Sequence, residues 1–264
     1  MKFTKISATG NDFILFDNRK GIFSGEERRF FQTICERRRA VGADGVILLE
    51  TSVLADFRYR HFNSDGSPAE MCGNGARAVC FYAVSKSIVP SRHTFEIWDT
   101  VHKACVTGKE VALSMPPPSL LQRGLGLVSG KNLQEGGFAV VGVPHLVVFT
   151  DRVKEVDVLN TGRYYMAHPR FKNGTNVDFV EVLDSSTIRV RTFERGVEDE
   201  TLSCGTGSVA SAVFAHLVKG AIPPISVHTS GGSLVVDWED LQHAVILRGN
   251  VQIIYEGELI SFQK

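Results

Sequence analysis

Two cysteines stand in the same short phrase at two places in the chain. One phrase reads Cys72-Gly73-Asn74-Gly75 and the other Cys204-Gly205-Thr206-Gly207, with half the length of the 264-residue chain between the thiols. An acidic residue precedes each phrase, Glu70 in one case and Glu200 in the other, and small and apolar residues follow. This is the composition of a helix start. The first N–H groups of a helix are unpaired and carry partial positive charge. Glycine lets an anion come close to them, so the turn can cradle a carboxylate or phosphate. The same field draws a thiol's pKa toward neutrality.

One such phrase is weak evidence, because a free cysteine is usually a small buried apolar residue. Two in equivalent places suit inversion at a carbon that bears an acidic hydrogen. One thiolate would remove the proton from one face while the other thiol delivers a proton to the opposite face. The pair would then hold one proton between them and titrate as a unit. Both helix starts would stabilise the developing carbanion. Two other readings stand beside this one: a redox-switch disulfide, and two buried cysteines in a duplicated fold.

The elements that must carry these cysteines can be read from periodicity. "FTKIS" and "FILF" read as short strands around the turn "ATGND", and residues 26–39 have apolar Phe30, Phe31, Ile34 and Cys35 at helical spacing. "GVILLE" and "DFRYRHF" read as strands, and "GNGARAVCFYAVSK" as a helix with a broad apolar stripe. Strands follow at "TFEIW", "KACVT" and "EVALSM". Pro116, Pro117 and Pro118 then mark a domain boundary, since three prolines continue neither a helix nor a central strand. The second half repeats the plan. It has strands at "FAVVGV" and "HLVVF", a helical piece over 163–168, and strands at "NVDFVEVL" and "TIRVRTFE". A helix of small and apolar residues after Cys204 comes next, then strands at "ISVH", "SLVVDW", "AVILRG" and "VQIIY". The expected fold is α+β, with two pseudo-symmetric domains, each a mostly antiparallel sheet wrapped around a central helix. The first covers residues 1–115, completed by 252–264, and the second covers 119–251.

Composition narrows the class. Lys+Arg and Asp+Glu both number 29, so the net charge is zero, which argues against a nucleic-acid or anionic-membrane partner. The longest apolar stretch, residues 138–149, is too short to span a membrane and holds Gly142, Pro144 and His145. The five cysteines form no CxxC pair, which fits neither a zinc site nor a disulfide framework and suggests a reducing cytoplasm. Cys35, Cys80 and Cys105 read as packing residues, and residues 36–40, "ERRRA", as a solvated helix end.

Taken together, "KISATGNDFILFDN", "FNSDGSPAEMCGNGAR", "VPHLVV", "NVDFVEV" and "ERGVEDETLSCGTGS" resemble the diaminopimelate epimerase family over nearly the whole chain. Proline racemases share CGxG pairs but differ around both cysteines. The resemblance implies interconversion of LL- and meso-diaminopimelate, a small amino-acid substrate, without pyridoxal phosphate or metal, and it implies a homodimer. By motif position Cys72 and Cys204 are the base and acid. The resemblance puts His145 and Glu194 at places where the family keeps polar partners that help set thiol protonation. Gly73, Asn74, Gly205 and Thr206 offer backbone N–H groups to the reacting carboxylate. Asn11, Asn63, Asn176 and Arg195 bind the rest of the substrate, the arginine suiting a distal carboxylate. A racemase acting on glutamate, aspartate or proline with the same fold is the alternative enzyme.

The sequence departs from the family pattern twice. Val143 stands where the family has an asparagine two residues before the histidine. The segment between Glu194 and Cys204 is one residue longer than usual. The first change removes a polar contact and predicts relaxed selectivity, extending to glutamate or aspartate. The second predicts a displaced Glu194 or a looser loop before Cys204.

Overall fold

The computed structural model describes residues 1–69, 71–127 and 132–260. The chain divides into two compact units, Met1–Ser114 with Gly249–Lys264, and Met115–Arg248.

In the first unit β1 (Lys2–Ala8) and β2 (Asn11–Asp17) form a hairpin, and α1 (Arg28–Cys35) leads to β3 (Gly45–Glu50), parallel to β2. β4 (Phe57–Asn63) is antiparallel to β3. Next come α2 (Gly73–Ser85) and β5 (Arg92–Ile97), the latter parallel to β4. β6 (Thr100–Thr107) and β7 (Glu110–Met115) add antiparallel strands.

The second unit repeats that order of pairings. β8 (Ser119–Gln122) lies on β9 (Leu133–Val141), which pairs antiparallel with β10 (Val143–Thr150). α3 (Val158–Met166) leads to β11 (Asn176–Asp184), parallel to β10, and β12 (Thr187–Glu194) returns antiparallel. A short β13 (Asp199–Thr201) hairpins onto β12. α4 (Gly205–Lys219) follows. β14 (Ile225–Thr229) is parallel to β12, and β15 (Gly232–Asp237) is antiparallel to β14. In both units the CGxG helix therefore enters after an antiparallel pair and exits into a parallel one. The last strand, β16 (Val245–Glu258), returns to the first unit and pairs with β1 from Val251 to Glu258.

The core helices are apolar on most faces because strands surround them. Every α4 residue from Gly205 to Ala215 is buried, and the helix packs on β9, β10, β11, β12, β14 and β15. α2 packs on β1, β2, β3, β4 and β6. By contrast α1 is amphipathic. Its Phe30, Phe31, Ile34 and Cys35 join Phe16, Phe23 and Phe62 in an aromatic-rich core.

Beyond the unexpected short strands β8 and β13 and a break at Gly142 in the expected "FAVVGV" strand, three elements differ in extent from the sequence expectation. The helix expected over 26–39 is shorter, because Glu36 is extended and Arg38 has φ 73°. Its basic end is not merely solvated, since Arg37 bridges Asp12 and Asp44, each at 2.7 Å. The helical piece expected over 163–168 begins earlier, at Val158, where the Asp157 side chain caps Asn160 N–H at 3.1 Å. The two strands expected at "AVILRG" and "VQIIY" are one, extended through Gly249 and Asn250. Among the described residues, no helix is long and apolar enough to cross a membrane.

Candidate active site

Cys72 and Cys204 are the N-cap residues of α2 and α4, with almost the same backbone: φ −110° and ψ 113° for Cys72, φ −116° and ψ 116° for Cys204. In each, Sγ accepts the N–H of the glycine three residues on, at 3.4 Å. Sulfur thus fills the place that a serine or aspartate oxygen takes at an ordinary N-cap. The spacing to that glycine has a steric cause. A Cβ on Gly75 would collide with the Tyr59 hydroxyl of β4, and one on Gly207 with Asp178 Oδ1 of β11. Only glycine allows these polar groups to sit against the helix start.

In the first unit, Asn11 reaches Cys72. Asn11 Oδ1 lies 3.9 Å from the Cys72 thiol and accepts Asn74 Nδ2 at 3.4 Å, while Asn11 Nδ2 donates to Asp44 Oδ2 at 2.6 Å. Asn74 Oδ1 in turn accepts Arg77 Nη2 at 2.7 Å, and the same nitrogen donates to Thr9 Oγ1 at 2.8 Å. Arg77 is fully buried, and burial lowers its pKa to about 10 against the opposing pull of Cys72. Gly73 opens α2 and is buried. Asn63 is exposed, and its amide donates to Ser67 Oγ at 3.1 Å.

In the second unit, four expected residues are linked to Cys204. The Cys204 thiol lies 3.4 Å from Thr206 Oγ1, which lies 2.9 Å from His145 Nε2. Asn176 Nδ2 approaches the same ring nitrogen at 3.5 Å, and Asn176 Oδ1 accepts the Arg195 backbone N–H at 2.8 Å. The Arg195 guanidinium turns to Asn173 O at 2.8 Å. Gly205 opens α4 and is buried. Glu194 ends β12 in register with Asp199, and its charge acts on Cys204.

The helix field was expected to lower the thiol pKa. At Cys204 the opposite holds. Burial pushes the thiol well above its ordinary value, and the Glu194 and Asp178 carboxylates add to this. The hydrogen bonds with the Thr206 hydroxyl and the Gly207 N–H act the other way and do not overcome it. The segment between Glu194 and Cys204, one residue longer than the family pattern, opens on a tight turn. The 195–198 turn takes up its length with Gly196 at φ 90° and Glu198 at φ 57°, closed by Glu198 N–H to Glu194 O at 2.8 Å. Arg191 clamps β13 through a two-pronged pair with Glu200, at 2.7 and 2.6 Å.

Sequence reasoning missed Asp178, Asp44 and Arg77. Asp178 shows its role only through burial, since alternation in the sequence reads it as a solvent-facing strand residue. It is the one acid among five consecutive buried residues, Asn176 to Val180, so its partners had to be internal. Asp44 and Arg77 carry no signal in the sequence either, since each looks like an ordinary loop or helix charge. Among the described residues no group of three His, Cys, Asp or Glu side chains is placed to hold a metal ion.

Comparison with known proteins gives a consistent result. The family model described as Diaminopimelate epimerase matches residues 3–114 and 137–254. A diaminopimelate epimerase of Chlorobaculum tepidum is 38% identical, covering 96% of this chain and 99% of that protein. One of Aquifex aeolicus is 39% identical over 98% of both. Among solved structures, a Bacillus anthracis phenazine biosynthesis protein of the PhzF family superposes with a TM-score of 0.76 at 15% identity, covering 99% of both chains. An Agrobacterium vitis hydroxyproline epimerase gives 0.72 at 14% identity, covering 98% of this chain and 90% of that one. At such low identity these two likenesses speak to the fold alone.

Proposed function

This chain belongs to the diaminopimelate epimerase family of isomerases, and from that premise we propose that it interconverts LL- and meso-diaminopimelate through the thiols of Cys72 and Cys204. In one direction a thiolate takes the α-proton and the other thiol returns a proton to the opposite face. In the reverse direction the roles exchange. The two compact units are the two halves of the enzyme, and each contributes one cysteine. The observation that carries the reading is the matched N-cap: the same backbone angles and the same 3.4 Å bond to Sγ in both units.

Within this reading the first-turn N–H groups of α2 and α4 take the reacting carboxylate, a use to which helix starts are suited. His145 and Glu194 govern the Cys204 proton. Asn11, Asn63, Asn176 and Arg195 hold the remainder of the substrate. The assembly is a homodimer acting in the cytoplasm, which light scattering and fractionation would test.

The decisive experiment is proton NMR of diaminopimelate in heavy water with the wild type and with Cys72→Ser and Cys204→Ser. The wild type should exchange the α-hydrogen and epimerise, and each variant should lose epimerisation by at least about 100-fold. Full turnover in either variant would refute the two-thiol mechanism.

A further inference from the structure

We propose that Asp178 is a positioning residue for Cys204, acting through His145 and the hydroxyl of Thr206. The inference rests on the two-thiol reading above and adds a residue and a proton route to it.

Asp178 and His145 are fully buried. Asp178 Oδ1 accepts Thr192 Oγ1 at 2.7 Å, and Oδ2 faces His145 Nδ1 at 2.8 Å. An ionised carboxylate can only accept, so the ring hydrogen lies on Nδ1. His145 Nε2 is then an acceptor. Both of its neighbours can donate: Thr206 Oγ1 at 2.9 Å and Asn176 Nδ2 at 3.5 Å. Asn176 is held with its nitrogen toward the ring because its oxygen takes the Arg195 N–H. With its own hydrogen given to Nε2, Thr206 Oγ turns a lone pair to the Cys204 thiol at 3.4 Å. The order Asp178, His145, Thr206, Cys204 is therefore directional, and Asp178 sets the direction.

The route answers a problem the site poses. Cys204 is buried, and the charged groups that act on it, Glu194 from β12 and Asp178 from β11, are both anionic, while α4 has no acidic residue in its first turn. The thiol must lose its proton to become the base. Through the relay, the Cys204 S–H proton passes to Thr206 Oγ as the Thr206 hydrogen passes to His145 Nε2. The products are a thiolate and an imidazolium, and the Asp178 carboxylate stays ionised against the ring. The reverse transfer reloads the thiol when Cys204 is the acid. No bond other than those to the moving hydrogens changes.

The test is Asp178→Asn. An asparagine amide can donate to Nδ1, which moves the ring hydrogen to Nε2 and turns the Thr206 hydrogen away from the ring. With diaminopimelate, kcat should fall about 100-fold with KM changed less than about threefold. In a Cys72→Ser background, alkylation of Cys204 by iodoacetamide, read by peptide mass against pH, should shift its midpoint up by about one pH unit, the lost acceptor at His145 Nε2 outweighing the relief from the Asp178 charge. Thr206→Val should shift the midpoint in the same direction. A purely structural role would change thermal stability and leave the midpoint in place. Wild-type kcat and midpoint in folded Asp178→Asn would overturn the inference. Should that variant fail to fold, an unmoved midpoint in Thr206→Val would do so. Loss of turnover in Cys204→Ser alongside an unaffected Asp178→Asn would sink the relay alone, whereas turnover in Cys204→Ser would sink the two-thiol reading itself.

Discussion

Asn11 Nδ2 donates to Asp44 Oδ2 at 2.6 Å, and this bond decides which end of the amide faces Cys72. The oxygen end is turned to the thiol, at 3.9 Å. A carboxylate accepts only, so the amide cannot reverse without losing its partner. Asp44→Ala frees the amide to rotate and should lower kcat/KM about 10-fold, whereas Asn11→Ala should lower it about 100-fold. Steady-state rates in both reaction directions check this. Wild-type kcat/KM in Asn11→Ala would remove Asn11 from the site.

Gly75 and Tyr59 form a second testable pair. Gly75→Ala drives a methyl into the Tyr59 hydroxyl and should cost about 2 kcal/mol of stability. The Tyr59 hydroxyl is buried and finds no hydrogen-bond partner among the described residues. Tyr59→Phe should therefore be neutral or slightly stabilising, and it should relieve much of the Gly75→Ala defect. Urea unfolding of the two single variants and the double variant measures the coupling.

Asp12 gives a pH dependence with a defined sign. Burial works to raise its pKa, but hydrogen bonds and charge from Arg37 and Lys5 overcome that and hold it at about 2, below the ordinary 3.8. Lys5 Nζ sits 2.7 Å from Asp12 Oδ2 and is nearly buried. A carboxyl depressed in the folded state contributes its stability in full above the ordinary value. That stability is lost as pH falls from about 4 toward 2, and it amounts to about 2 kcal/mol. Asp12→Asn should lose that amount at neutral pH and show a flatter acid limb in unfolding curves recorded across that range.

Val143 bears on selectivity. It is the first residue of β10, two positions before His145, and its half-buried side chain offers no hydrogen bond where the family pattern has an amide. The chain should accordingly exchange the α-proton of D- or L-glutamate in heavy water, and Val143→Asn should raise the preference for diaminopimelate about 10-fold. Absence of any glutamate exchange in the wild type would end the idea.

The parts that were legible in the sequence share a local cause. The two helix starts follow from cysteine and glycine chemistry, and α4 from a run of small apolar residues that only an enclosing sheet could bury. Alternation marked β11 and β12. The parts that were not legible depend on residues distant in the chain. Helical periodicity runs on through Arg37, yet Asp12 and Asp44 draw that side chain elsewhere and α1 ends at Cys35. Gly249-Asn250 reads as a break, yet pairing keeps it extended. The two cysteines stand out by type and spacing, and the other candidate site residues are named through the family resemblance. Their connections were not legible, because Asp178 becomes a partner of His145 only when parallel pairing sets His145 beside Asn176, in register with β11.

β16 has a consequence for how the protein is made. Strand β1 finds one of its two neighbours, β2, within a few residues. The other, Val251 to Glu258, follows only after the whole of the second unit in the chain, and the Met1 ammonium donates to Leu259 O at 2.8 Å. The unit that holds Cys204 is a continuous stretch, Met115–Arg248, and has all its strands available first. Maturation therefore runs against the direction of translation. The later-encoded unit can close while the earlier one still waits for its final strand, so a released chain truncated after Arg248 would carry a finished Cys204 half beside an open Cys72 half.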